Sequence, residues 1–110
     1  MIKVVNKKTW KGGGHYIGRP TPLGNPYSHL CGTLAQFRVA TRDEAVDKYR
    51  EWLLSRLDGD NPATRMFVAL LDEYESKGEL TLVCNCIPER CHGEIIKEFI
   101  ESCVPNKSIH

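Results

Sequence analysis

Leu80-Thr81-Leu82-Val83-Cys84-Asn85-Cys86-Ile87-Pro88-Glu89-Arg90-Cys91-His92-Gly93-Glu94 carries an apolar run into a punctuated turn and out again at the start of a helix. Leu80 to Cys86 is nearly all apolar, the pattern of a strand covered on both faces of a sheet. Pro88 and Gly93 interrupt it. Ile95, Ile96, Phe99, Ile100 and Cys103 then recur at helical spacing, so a helix is expected to open near Cys91 or His92 and to stop before Pro105. The first N–H groups of such a helix lack intrahelical partners and face the strand end, which prepares the corner for an anion. Cys103 continues the apolar face and is expected to be a core thiol.

Working outward, Ile2 to Val5 is β-branched and reads as a first strand. Lys7 to Tyr27 is rich in Gly, Pro and Lys, and a loop of that length in a small fold is expected to be functional or disordered. Tyr16, Ile17, Leu23 and Tyr27 can pin it to a core, which favours function. Phe37 and Val39 suggest an edge strand. Thr41-Arg42-Asp43-Glu44 matches a capping box, and Ala45, Val46, Tyr49, Trp52, Leu53 and Leu57 line one face of the helix that follows, as far as Asp58-Gly59-Asp60. Asn61 and Pro62 start another helix, which buries Ala63, Phe67, Leu70, Leu71 and Tyr74 and closes at Gly78.

This order predicts an α/β fold: a small Rossmann-like layer sandwich, with a short, largely parallel sheet flanked by helices. A chain of 110 residues is expected to form a single α/β domain, 1–110, with residues 7–27 as a ligand-cleft loop within it. Ligands of such sheets sit outside the carboxyl ends of the strands, where this loop and the Cys86 to Gly93 turn would meet.

Composition removes several classes of function. Fifteen basic residues face fourteen acidic ones, and no basic block interleaves with aromatics, so nucleic acid is not an expected partner. No stretch approaches the roughly 18 apolar residues of a membrane span, and the N-terminus lacks the apolar core of a signal peptide. A cytoplasmic location follows as an expectation. Five cysteines, three of them between Cys84 and Cys91, suit a reducing compartment better than a disulfide framework.

Three chemistries compete for the corner. Cys84, Cys86, Cys91 and His92 could in principle hold zinc, but the spacing is not that of a zinc knuckle and adjacent Cys91 and His92 on a helix start are expected to diverge, so no metal is expected. A thiol at a helix N-terminus beside a histidine is a candidate nucleophile, which makes Cys91 and His92 the candidate catalytic pair, with no acidic orienting residue identifiable. Recognition uses more of the residues. Arg19 and Arg90 supply forked donors, Gly18 and Gly24 allow close backbone approach, His15 and Asn25 can hydrogen-bond a ribose or base edge, and Tyr16 or Tyr27 can stack. Leu23, Cys86, Pro88, Cys91, His92 and Gly93 complete the expected ligand-binding set. Read blandly, Gly24-Asn25-Pro26 is only a tight turn.

Tyr16-Ile17-Gly18-Arg19-Pro20, Pro22-Leu23-Gly24-Asn25-Pro26, Tyr49-Arg50-Glu51-Trp52-Leu53 and the Leu82 to Glu94 segment occur in an order that resembles the family called domain of unknown function 4326. The resemblance covers about Val4 to Phe99 and implies a compact Rossmann-related domain of a kind frequent in bacteriophage genomes. With the residues, it leads to an expected nucleotide-like ligand, an adenine nucleotide or ADP-ribose-type compound, and no cofactor. From the resemblance alone comes a use for such binding: a phage protein that sequesters a nucleotide immune signal in the host cytoplasm. The loop is long enough to cross a dimer interface, so a homodimer can form. Two alternatives stand beside it. One is an enzyme acting at an N-glycosidic or phosphoester bond through Cys91 and His92; the other is a protein-binding inhibitor.

Overall fold

A computed structural model describes residues 1–19, 21–28, 37–85 and 91–104. In chain order the elements are β1 (Ile2–Asn6), β2 (His15–Tyr16), β3 (Tyr27–Ser28), β4 (Phe37–Arg38), α1 (Arg42–Arg56), α2 (Pro62–Lys77), β5 (Leu80–Cys84) and α3 (His92–Cys103). The protein is α/β, with a small open parallel sheet and three helices, consistent with a small Rossmann-like layered fold.

The sheet order is β1-β5-β2, with β5 central and both neighbours parallel to it. Ile2 pairs with Leu80 and Asn6 with Cys84 on one side, while His15 pairs with Leu82 and Tyr16 with Val83 on the other. Two bonds carry the ladder past the strands: Lys7 N–H to the Cys84 carbonyl at 2.8 Å, and Ile17 N–H to the Val83 carbonyl at 2.9 Å. All three strands therefore end at the same edge of the sheet. The expected irregular loop thus supplies a third strand and, at Tyr27–Ser28, one half of a separate two-stranded pair with β4.

Helix boundaries follow local chemistry. Thr41 caps α1 through its hydroxyl, which accepts from Glu44 N–H at 3.1 Å, while the Glu44 carboxylate reaches back to Ala40 N–H at 2.9 Å. Asn61 caps α2 by accepting from Thr64 N–H, Pro62 opens it, and Gly78 closes it at φ 71°, a left-handed geometry that glycine adopts without steric cost. Cys91 caps α3, and Val104 follows its last residue, so the helix stops before Pro105 as expected.

The core joins the elements around β5. Leu80, Leu82 and Cys84 are buried and alternate with the partly covered Thr81 and Val83. Helix α3 brings Ile95, Ile96 and Ile100, α1 brings Val46, Tyr49 and Leu53, and α2 brings Phe67 and Leu70. Trp52, Leu57, Leu71 and Tyr74 pack against this cluster from its margin. Cys103 corrects the sequence expectation: it is exposed, as are Glu101 and Ser102, so the last turn of α3 extends beyond the core although its periodicity continues.

Candidate functional site

At the common exit edge of the sheet, the backbone of the β2 loop meets the first turn of α3. The contact is made by His92, which is buried, with Nε2 at 2.7 Å from the Ile17 carbonyl oxygen. A carbonyl can only accept, so Nε2 carries the proton. Burial is the chief cause that pulls the His92 pKa below its ordinary value, with the positive charge of Arg19 acting in the same direction and the Ile17 bond and Cys84 opposing. The ring is therefore neutral near pH 7 and its Nδ1 is an acceptor.

Nδ1 faces Cys91 Sγ at 3.6 Å, so the sequence expectation that these side chains diverge is corrected. The reason lies in the backbone. Cys91 is the cap and has extended torsions, φ −136° and ψ 147°, so its side chain turns back over the helix start, where its sulfur also accepts from Gly93 N–H at 3.4 Å. The thiol and imidazole form a contacting pair, and the group that orients the imidazole is the Ile17 carbonyl where an acid had been sought. Both side chains are buried. Tyr49 closes the far side, its ring meeting His92 edge-on at 4.9 Å and its hydroxyl donating to the Leu23 carbonyl at 2.7 Å. Burial pushes the Tyr49 phenol up, and the Cys91 sulfur adds to the effect.

Arg19 is fixed by main chain. Its Nη1 donates to the Asn25 carbonyl at 3.0 Å and, at the longer distance of 3.5 Å, to that of Tyr27. Arg19 makes no ion pair with another described residue. Its guanidinium is thus held in place without a carboxylate among the described residues.

The other expected ligand contacts divide into three groups. Asn25 is buried and both ends of its amide are engaged: Nδ2 donates to the Ala45 carbonyl at 3.1 Å and Oδ1 accepts from Tyr27 N–H at 2.9 Å. Leu23 is wholly buried in the core. Glycine shapes the loop by close approach, since a Cβ on Gly24 would lie 2.9 Å from the Arg19 backbone and one on Gly18 would fall on the Tyr16 hydroxyl. A Cβ on Gly93 would lie 2.8 Å from a Val4 methyl and 2.9 Å from Ile17, which is how closely α3 seats on β1 and the loop. Tyr16 accepts from Asn85 Nδ2 at 2.8 Å and donates to the Arg19 carbonyl at 3.3 Å.

His15 is not brought to this corner. Adjacent strand residues point to opposite faces, and His15 turns to α2, pairing with Glu73 at 2.8 Å and holding that carboxyl below its usual range. Tyr27 stacks on Phe37 with ring centroids 5.2 Å apart. Cys86, Pro88 and Arg90, with His29 and Cys31, lie outside the described residues. Among the described residues no group of three or more His, Cys, Asp or Glu side chains is placed to hold a metal ion, and no helix is long and apolar enough to cross a membrane.

Sequence reasoning missed the Ile17 carbonyl and the Tyr49 hydroxyl. A main-chain acceptor has no residue signature, and Tyr49 sits on an apolar helix face where only its ring announces itself.

The model of a family described as "Domain of unknown function (DUF4326)" matches residues 2–102. No curated protein and no solved structure matches the chain.

Proposed function

We propose that this chain, which belongs to the domain of unknown function 4326 family, binds a nucleotide-like small molecule at the edge where β1, β5 and β2 end, with Arg19 taking a phosphate. The observation that carries the reading is Arg19 itself. Two main-chain carbonyls fix one guanidinium nitrogen, and among the described residues no carboxylate neutralises the charge and no acceptor takes the other N–H groups. A guanidinium fixed in this way meets a phosphate with little further loss of side-chain freedom and with bidentate geometry. The site's place supports the same reading, because open parallel sheets bind ligands beyond the carboxyl ends of their strands. Arg90 is the second cation of this proposal, and an adenine nucleotide or ADP-ribose-type compound its ligand class. A phage-encoded member with this property would act by sequestering a nucleotide signal in the host cytoplasm.

Equilibrium dialysis against AMP, ADP, ADP-ribose and cyclic adenine nucleotides tests it. Saturable retention of at least one, with the same molecule recovered intact after denaturation, is expected. Retention of none would remove the reading.

A second reading, cleavage or transfer at an N-glycosidic or phosphoester bond, draws on the 3.6 Å contact between Cys91 and His92. The complete burial of Cys91 weighs against a nucleophile that must meet substrate. The same dialysis separates the two, since an enzyme returns a product.

A further inference from the structure

The even charge of the whole chain is the sum of two unlike parts. Seven basic residues, from Lys3 to Arg42, precede the first acidic one, Asp43. Lys3, Lys7, Lys8 and Lys11 belong to β1 and the connection after it, whereas none of the fourteen acidic residues lies in β1, β2, β5 or residues 7–14. The acids lie in the helices and the segments flanking them.

Folding sets the two parts on opposite faces of the sheet. Leu80, Leu82 and Cys84 point into the core that all three helices share, and on that side Gly93 of α3 meets Val4 while Glu73 of α2 holds His15. The register puts Lys3 beside Thr81, and Val5 and Tyr16 beside Val83, on the other face, and none of these five belongs to the core cluster. Because β5 lies between β1 and β2, the connection joining them has to cross it, and residues 7–14 do so on this second face. Lys3 Nζ stands 5.4 Å from the centre of the Trp10 ring and Lys7 Nζ 4.9 Å from that of Tyr16, while a Cβ on Gly14 would meet methyls of Thr81 and Val83 at 3.0 and 2.9 Å. Lys8 and Lys11 are exposed along the same crossover.

Both rings are held. Thr9 and Trp10 N–H donate to the Asn6 carbonyl at 3.2 and 2.9 Å, Lys8 N–H donates to Asn6 Oδ1 at 2.8 Å, and the Trp10 indole N–H donates to the Gly13 carbonyl at 2.9 Å. Tyr16 is fixed at its hydroxyl by Asn85 and the Arg19 carbonyl. A positive face with two fixed rings, each beside a lysine, complements a chain that alternates flat bases with phosphates. A base stacked on a ring gains more than an exposed ammonium does there, so the base takes the ring and the lysine turns to the phosphate. A duplex hides its base faces, and a lipid surface calls for apolar side chains that project, whereas this indole is turned back on its own loop.

We infer that the face built from residues 7–14, Lys3 and Tyr16 binds single-stranded nucleic acid, with Trp10 and Tyr16 stacking bases and Lys3, Lys7, Lys8 and Lys11 neutralising phosphates. The inference does not rest on a nucleotide at Arg19, and either can fail without the other.

Fluorescence anisotropy of a labelled deoxythymidine strand of about 15 nucleotides, titrated with the full chain, tests it. Saturable binding is expected at about 50 mM salt, with a log–log salt slope of about −3, as four phosphate contacts require. Trp10→Ala should weaken binding about fivefold or more. Lys7→Gln combined with Lys11→Gln should roughly halve the slope. Lys48→Gln combined with Lys77→Gln, exposed on α1 and α2, should change neither affinity nor slope. If Trp10→Ala fails to fold, the two lysine pairs decide, since they leave every ring in place. The inference is overturned by no binding of the strand at that salt, by a duplex bound as tightly, by equal losses from the two lysine pairs, by a folded Trp10→Ala chain of unchanged affinity, or by binding to phosphatidylserine vesicles with none to the strand.

Discussion

His92 and Ile17 stand 75 positions apart in the chain, and the imidazole Nε2–H of one donates to the carbonyl oxygen of the other at 2.7 Å inside the core. That bond fastens the glycine-proline loop to the start of α3. Replacing His92 by alanine removes the donor, leaves a buried carbonyl unpaired and opens a cavity beside Tyr49, so a loss of about 2 to 4 kcal/mol is expected. Urea unfolding measures it. A loss below about 0.5 kcal/mol, the range of ordinary surface changes, would mean that the bond does not hold the loop.

The same residue sets a pH dependence. Burial lowers the His92 pKa from its ordinary 6.5, so as the pH falls through 6.5 the unfolded chain takes up a proton that the folded chain refuses. The stability this provides is complete above 6.5 and declines below it, until the folded ring also protonates. Glu73 and Glu98, depressed from 4.5 chiefly by hydrogen bonds from His15 and Arg50, contribute stability above that value and lose it only at lower pH. The urea midpoint should therefore fall between pH 7.5 and pH 5 in the parent and stay flatter in His92→Gln. Parallel curves would assign the slope to other groups.

Asn25 offers a nearly isosteric test. Its Nδ2 donates to the Ala45 carbonyl and its Oδ1 accepts from Tyr27 N–H, both under cover. Asn25→Asp keeps the acceptor, loses the donor and sets a carboxylate against a carbonyl, so a destabilisation of about 2 to 3 kcal/mol is expected by thermal or urea unfolding. An unchanged midpoint would show that the amide is not engaged as described.

Thiol accessibility distinguishes the two readings of Cys91. Cys84 and Cys91 are buried while Cys103 is exposed. Brief iodoacetamide treatment of native protein, read by peptide mass spectrometry, should label Cys103 first and Cys91 only as slowly as the chain opens. Labelling of Cys91 faster than Cys103 would favour the catalytic reading.

Glycine substitutions separate close approach from ordinary turns. Gly24→Ala would press a methyl onto Arg19 main chain, which cannot give way as a flexible side chain can, and should cost about 1 to 3 kcal/mol while displacing the guanidinium. Gly59→Ala meets nothing within 4 Å and should be close to neutral. Equal effects would argue against the close loop packing.

What could be read from sequence was local. Thr41, Asn61-Pro62 and Gly78 mark helix ends because each bonds or bends within its own turn. His15–Tyr16 escaped as a strand because two residues have no periodicity and their partner is β5, far along the chain. The Cys91 and His92 pairing escaped because helical geometry was assumed for a cap residue that is extended. Cys103 was misplaced because a repeat says which way a side chain points and not whether anything covers it. The loop and the α3 corner were correctly expected to meet, since parallel strands send both to one edge.

The most direct test of a phosphate seated on Arg19 beside the His92 bond is a nitrogen-15 correlation spectrum of the full chain during titration with ADP. The Arg19 Nε–H signal and the buried His92 Nε2–H signal should shift together and saturate at one equivalent. Shifts confined to the exposed faces of α1 and α2, or none at ADP concentrations far above micromolar, would contradict the account.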